Sequence, residues 1–286
     1  MKKILKENAQ SYYDQVLKLI LENRKENDVV CHFYGDMFNL EKYHLKDMFH
    51  VLPCQMGGRT CLTNTIYCCQ NWKYFNTYDN NKVTDNFTDN VISPIFSPDD
   101  FTFNINKQNA ILYLGRIQQT KGVCEVFKLS KLRKDYTFWI AGQHKDYGKQ
   151  QLDIDGTIYD LNEYDNVEFF GFADKHLRRK LLSDARCLLQ PSLYFEPFGM
   201  NVVEAYLSGT PVLTSNYGSF TEIVEHGITG FRSNRCEDFV KYIDRLDEIN
   251  PYVVLDEGLK YTEEKIYVKY MNYFNNHVKE VPVEKI

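Results

Sequence analysis

Residues 187–215, CLLQPSLYFEPFGMNVVEAYLSGTPVLTS, hold a short apolar run, a loop with one glycine, an amphipathic stretch and a second apolar run. Short, uniformly apolar runs such as CLLQPS (187–192) and PVLTS (211–215) suit strands covered on both faces. The segment between them, NVVEAYLSG (201–209), has helical spacing. The unit has the length of a right-handed crossover, so the two strands are expected to lie parallel. The same alternation runs towards the N-terminus through VEFFG (167–171), TFWIAG (137–142) and ILYLG (111–115), with helices expected at 122–132 and 176–185. A further helix is expected at 219–227. In HLRRKLLSDA (176–185), Leu177, Leu181 and Leu182 share a face and leave Arg178, Arg179 and Lys180 to water. From about residue 108 this is the pattern of a doubly wound, Rossmann-like α/β domain, whose ligands belong outside the carboxyl ends of the strands.

Outward from that domain the pattern is less regular. Ile4 to Leu21 carries the stripe of an amphipathic helix, followed by the strand-like DVVCHFYG (28–35). FHVLP (49–53), the turn Gly57-Gly58-Arg59 and a helix over 60–74 predict a second strand, glycine loop and helix. Residues 76–90 are rich in Asn and Asp and read as a loop, and SPIFSPDDF (93–101) as a proline-punctuated linker. The expected division is a reduced N-terminal α/β domain over 1–100, the Rossmann-like domain over 101–261, and a C-terminal helix within 262–286 that packs back across the domains.

Composition narrows the function classes. The 286 residues are 43% apolar and 26% charged, which is ordinary globular composition. With 34 basic and 39 acidic side chains the formal charge is -5, so no general polycationic surface draws the chain to nucleic acid. No run approaches the ~20 apolar residues of a membrane span, and the start MKKILKENAQ turns polar too soon for a signal peptide. A soluble cytoplasmic protein is expected. The eight cysteines show no framework spacing and read as reduced thiols. No Cys-x-x-Cys pair has a matching His, so no metal site is expected.

Two constellations carry chemistry. Gly115-Arg116-Ile117-Gln118-Gln119-Thr120-Lys121-Gly122 follows the first strand of the domain and puts backbone N–H groups and two cations at one sheet edge. A phosphate is well held there, Arg116 as a fork and Lys121 as a point charge. Two solvated cations around an ordinary βα turn would look the same. Glu196-Pro197-Phe198-Gly199-Met200-Asn201 then leads into a helix bearing Glu204, so the free N–H groups of its first turn face the strand ends with Glu196. Glu204 suits paired sugar hydroxyls, though exposed helical glutamates are commonplace.

In this order, and with GTPVLTSNYGSFTEIVEHGITGF behind them, these elements resemble the donor domain of a family 4 retaining glycosyltransferase of the GT-B fold. The likeness covers about residues 108–232: Gly-Arg and Lys-Gly after the first strand, IAG at 140–142, VEFFGF, DARCLLQPS, two glutamates with seven residues between them, Gly-Thr-Pro-Val and the Gly-Ser-Phe turn. The resemblance implies two Rossmann-like domains facing a cleft; it fails over the first hundred residues, where a full domain would stand, so the N-terminal one is expected to be reduced. It implies that Arg116 and Lys121, beside Gly115, bind the donor diphosphate. Glu196, with backbone groups of Phe198 and Gly199, would orient the sugar, and the N–H groups of Met200 and Asn201 would cap the distal phosphate. Glu204 would hold the ribose and the backbone at Phe172 would meet the base.

It further implies a nucleoside diphosphate sugar as co-substrate, with UDP-sugars favoured, and no required cofactor or metal. On the acceptor side, His32 and the pair Gly57 and Gly58 stand where the family's histidine and glycine loop would be sought, although a core histidine and a plain turn are the readings that their local sequence favours. The acceptor itself, whether glycan, lipid-linked saccharide, small molecule or modified nucleic acid, is not written in these motifs. Competing functions are a nucleotide-sugar-binding protein without turnover and a sugar-nucleotide epimerase or hydrolase of similar architecture.

Overall fold

The computed structural model describes residues 15, 18–25, 28–31, 49–55, 64–79, 82–83 and 90–277. They divide into two compact units, one made of the described residues up to Ser93 together with those from Tyr267, the other of Pro94–Ile266. In the first unit, β1 (Val29–Cys31), β2 (Phe49–Gln55) and β3 (Thr65–Tyr67) pair in parallel, with α1 (Gln70–Thr77) following β3 and β4 (Asn90–Val91) pairing beside it. The helix expected over 60–74 is thus corrected to a strand and a later helix. Thr65, Ile66 and Tyr67 are β-branched or aromatic and wholly buried between neighbouring strands, and that burial outweighs the helical spacing around them.

The second unit is built on a six-stranded, all-parallel sheet. Its elements in chain order are β5 (Ala110–Leu114), α2 (Val123–Leu132), β6 (Thr137–Ala141), the hairpin β7 (Gln151–Ile154) and β8 (Thr157–Asp160), and β9 (Val167–Gly171). After these come α3 (Lys175–Asp184), β10 (Cys187–Gln190), α4 (Met200–Leu207), β11 (Val212–Thr214), α5 (Phe220–Ile223) and β12 (Gly230–Arg232). The strands lie in the order β9-β6-β5-β10-β11-β12, with Leu112 opposite Trp139 on one side and Leu188 on the other. The order reverses between β5 and β10, and such a switch point opens a crevice above the strand ends. Every residue of β5 is buried, as a strand covered on both faces requires. Tyr113, Phe138, Leu188 and Phe231 fill the core around it.

Several boundaries differ from expectation. Between β6 and β9 the crossover carries a hairpin, turned at Asp155-Gly156 with φ of 49° and 88°, and docked through Tyr159 stacked on Phe127 of α2. The helix expected at 219–227 is the single turn α5. Residues 93–101 are not a free linker: Phe96 is buried, bridges to Thr262 and lies against Phe198. Beyond β12, α6 (Cys236–Ile243) and α7 (Pro251–Leu259) precede α8 (Glu263–His277). Pro251 opens α7 where its missing N–H is no loss, and Asn250 caps Tyr252 N–H. Among the described residues no helix is long and apolar enough to cross a membrane.

Candidate active site

The carboxyl ends of β5 and β10 bring the two sequence constellations together. Leu114 leads into Gly115 and Arg116, and a single 3-10 turn, Gln119–Lys121, then presents Lys121. Gly122 closes that turn with φ of 79°, and a Cβ there would stand 1.9 Å from the Pro191 carbonyl oxygen, so the loops after β5 and β10 can meet only at a glycine. They are stitched by Leu193 N–H and Tyr194 N–H, which both donate to the Thr120 carbonyl at 2.9 and 3.0 Å. The Tyr113 hydroxyl braces the start of the loop by donating to the Arg116 carbonyl at 2.6 Å.

Lys121 Nζ meets Glu196 Oε1 at 2.5 Å, with the two side chains only 16% and 13% exposed. The Ser192 hydroxyl donates to the same oxygen at 2.9 Å, and the Tyr194 ring lies under the ammonium at 4.4 Å. A cation and a carboxylate that are both largely desolvated need each other, which fixes both at the switch point. Arg116 is exposed, and no side-chain partner holds its guanidinium among the described residues. It borders a recess of about 460 Å³ shared with Gln118, Gln143, Lys145 and the hairpin tip. From that tip Asp155 Oδ2 accepts the Gln119 N–H at 2.7 Å, capping the turn that carries Lys121.

α4 begins directly at this place. Gly199, with φ of 77°, is its N-cap, and a Cβ would stand 2.6 Å from the Phe220 ring. The N–H groups of Met200 and Asn201 belong to the first turn, which has no intrahelical acceptors, so they form the positive end of the helix. Phe198 is buried against Phe96 and Tyr261, which anchors the residue before the helix start. Asn201 donates through Nδ2 to the Leu114 carbonyl, tying α4 to the end of β5, and Gln190 of β10 donates to the same carbonyl through Nε2 at 2.7 Å.

Glu204 lies four residues into α4 and its side chain is 10% exposed. Its Oε2 accepts from Arg178 Nε at 2.6 Å and from a terminal nitrogen of the same guanidinium, which also donates to Asn201 Oδ1 at 2.6 Å. Burial raises the Glu204 carboxyl above its ordinary value, and Arg178 only partly offsets this. The expectation that Arg178, Arg179 and Lys180 are left to water holds for Lys180, which is exposed and pairs with Asp184 at the surface, and is corrected for the two arginines. Arg178 is taken by Glu204 and Asn201, and Arg179 by the Thr102 hydroxyl and the Phe101 carbonyl. Helical spacing separates apolar from polar faces but does not say which polar residues have a carboxylate within reach.

Phe172, 70% exposed, follows the edge strand β9, two strands or about 10 Å from β5. His32, Gly57 and Gly58 lie outside the described residues. Sequence reasoning missed Arg178, Asp155 and the Tyr194 ring. The Asp-Gly pair was a hairpin signal, whereas nothing in the local sequence marked Arg178.

Residues 97–253 match the family model described as glycosyl transferases group 1. An uncharacterized glycosyltransferase of Methanocaldococcus jannaschii is 32% identical over 126 residues, 43% of this chain and 31% of that protein. The glycogen synthase of Mycobacterium tuberculosis is 35% identical over 124 residues, 42% of this chain and 29% of its own length. The matches thus span about a third of these curated relatives. Among solved structures, a glycosyltransferase involved in avilamycin A biosynthesis aligns over 93% of this chain and 78% of its own, at a TM-score of 0.67 and 17% identity. Anabaena HepE in complex with UDP and glucose aligns over 75% of this chain and 63% of its own, at a TM-score of 0.58 and 17% identity. These likenesses give the GT-B fold, and with a family match over more than half of its residues the chain belongs to the group 1 glycosyl transferases.

Proposed function

We propose that the chain is a family 4 retaining glycosyltransferase that moves one sugar from a UDP-sugar to a hydroxyl-bearing acceptor. The observation that carries the reading is the meeting of Lys121 and Glu196 at the sheet's switch point, beside Arg116 and the start of α4. Two cations and a helix N-terminus are what a departing diphosphate needs, since the charge that develops on it is stabilised by groups already in place. That compensation makes a divalent metal unnecessary. Glu196 and the backbone of Phe198 and Gly199 orient the sugar, the Met200 and Asn201 N–H groups meet the distal phosphate, and Glu204 accepts from the ribose diol. The backbone at Phe172 meets the base.

The bond from the anomeric carbon to the phosphate oxygen breaks towards an oxocarbenium-like pair. The acceptor oxygen then bonds to the same face as its proton passes to the departing phosphate. UDP is favoured because the HepE protein of similar fold binds UDP and UDP-glucose. Incubation with a panel of sugar nucleotides, followed by mass spectrometry, tests the reading. Release of nucleoside diphosphate and free or transferred sugar is expected from UDP-sugars; no release from any donor would overturn it.

A further inference from the structure

We propose that Arg178 is the positioning residue of the ribose site: it holds the Glu204 carboxylate ionised and aimed, and so governs nucleotide affinity. The inference rests on the reading of Glu204 as the ribose ligand. The geometry is particular to a guanidinium. From α3 it spans one turn of α4, reaching Glu204 and Asn201 at once, and Asn201 is itself anchored on the Leu114 carbonyl. A lysine would supply the charge without the fork. Every bond that Arg178 makes to Glu204 uses Oε2, which leaves Oε1, among the described residues, to accept a ligand hydroxyl.

The ionisation matters because a ribose diol presents two donors, and a protonated carboxyl would oppose one of them with a donor of its own. Around Glu204, Arg178 is the charge that reaches it. On α3, Lys180 pairs with Asp184, Lys175 with Asp100, and Arg179 bonds Thr102, while His176 is exposed. On α7, Glu257 pairs with Lys260 and Asp256 is exposed. On β10, burial keeps the Cys187 thiol protonated. With Arg178 gone, burial acts on Glu204 unopposed, and the carboxyl takes up a proton as the pH falls.

The test is UDP titration calorimetry on the full chain at pH 8 and pH 6 for the parent, Arg178→Met, Arg178→Lys and Glu204→Gln. The UDP phosphate titrates in every case, so the quantity read is the ratio of variant to parent Kd at each pH. For Arg178→Met the ratio is expected to widen from pH 8 to pH 6, because the carboxyl that burial favours in its protonated form then has no guanidinium to keep it ionised. Arg178→Lys should narrow the ratio at both pH values, and Glu204→Gln should weaken binding by one factor at both. A ratio for Arg178→Met that stays constant with pH, while Arg178→Lys binds like the parent or like Arg178→Met, would overturn the inference and leave the donor-site reading intact. Failure of the parent chain to bind UDP, GDP or ADP would overturn the donor-site reading itself, and this inference with it.

Discussion

Arg116→Ala and Lys121→Ala should separate catalysis from folding, because the structure treats the two cations differently. Arg116 is exposed and its guanidinium has no side-chain partner among the described residues, so its truncation should leave folding stability within about 0.5 kcal/mol of the parent. Lys121 is 16% exposed and neutralises a Glu196 that is 13% exposed. Removing one member of a fully buried pair costs about 3–5 kcal/mol, because the other charge is left alone. Here Glu196 keeps some water and the Ser192 hydroxyl, which brings the expected loss to about 1–3 kcal/mol. On catalysis both substitutions remove charge compensation for the leaving diphosphate, so each should cost about 2–4 kcal/mol of transition-state stabilisation, or roughly 30- to 1000-fold in kcat/KM. Urea unfolding gives the first quantity and the rate of nucleotide release from the sugar nucleotide the second. Parental turnover in purified Arg116→Ala would refute the charge-stabilising role, and equal destabilisation by both substitutions would refute the account of their surroundings.

Asp155→Ala removes the acceptor of the Gln119 N–H and loosens the turn that aims Lys121; kcat should fall about fivefold, the worth of one hydrogen bond, with UDP affinity held. A fall in UDP affinity alone would contradict that. Gly122→Ala sets a Cβ against the Pro191 carbonyl in left-handed backbone and should lose more than about 3 kcal/mol in urea unfolding; an unchanged midpoint would refute the close approach. Burial lowers the Lys107 ammonium to about 7 although it donates to the Ser183 and Ser208 carbonyls and the Thr210 hydroxyl. Between pH 7 and about 10.4 the unfolded chain then binds the extra proton, so parental stability should rise with pH in a way that Lys107→Met lacks; parallel stability curves would refute the assignment.

The strands of the second unit were legible because each is buried on both faces and so is written as an unbroken apolar run: ILYL, TFWIA and CLL need no partner to be recognised. Their order within the sheet, and with it the switch point, is set by the pairing of the strands and not by the runs themselves. Gly230–Arg232 was not legible, since Gly-Phe-Arg has no apolar run, and the hairpin over residues 151–160 was marked only by its Asp155-Gly156 turn, because its strands are half exposed. In the first unit the segment 64–77 carries both a strand and a helix within a length that one helix would also fit, and only the neighbouring strands decide between them.

The two glutamates show where a motif stops being informative. Their spacing places Glu196 on the loop after β10 and Glu204 inside α4, and that much is local. Both end with less than a seventh of the side chain exposed, and a carboxylate so desolvated must find a cation. Which cation is a matter of topology. Glu196 takes Lys121 from the loop after β5, 75 positions earlier, because β5 and β10 are adjacent strands with their carboxyl ends together. Glu204 takes Arg178, 26 positions earlier, because α3 and α4 pack side by side. Lys121 belongs to a recognisable phrase, Lys-Gly after a strand, while Arg178 sits in an ordinary amphipathic helix whose neighbouring basic residues serve other partners. A residue whose importance comes only from the charge that the fold sets beside it leaves no local mark, and Arg178 is that residue here.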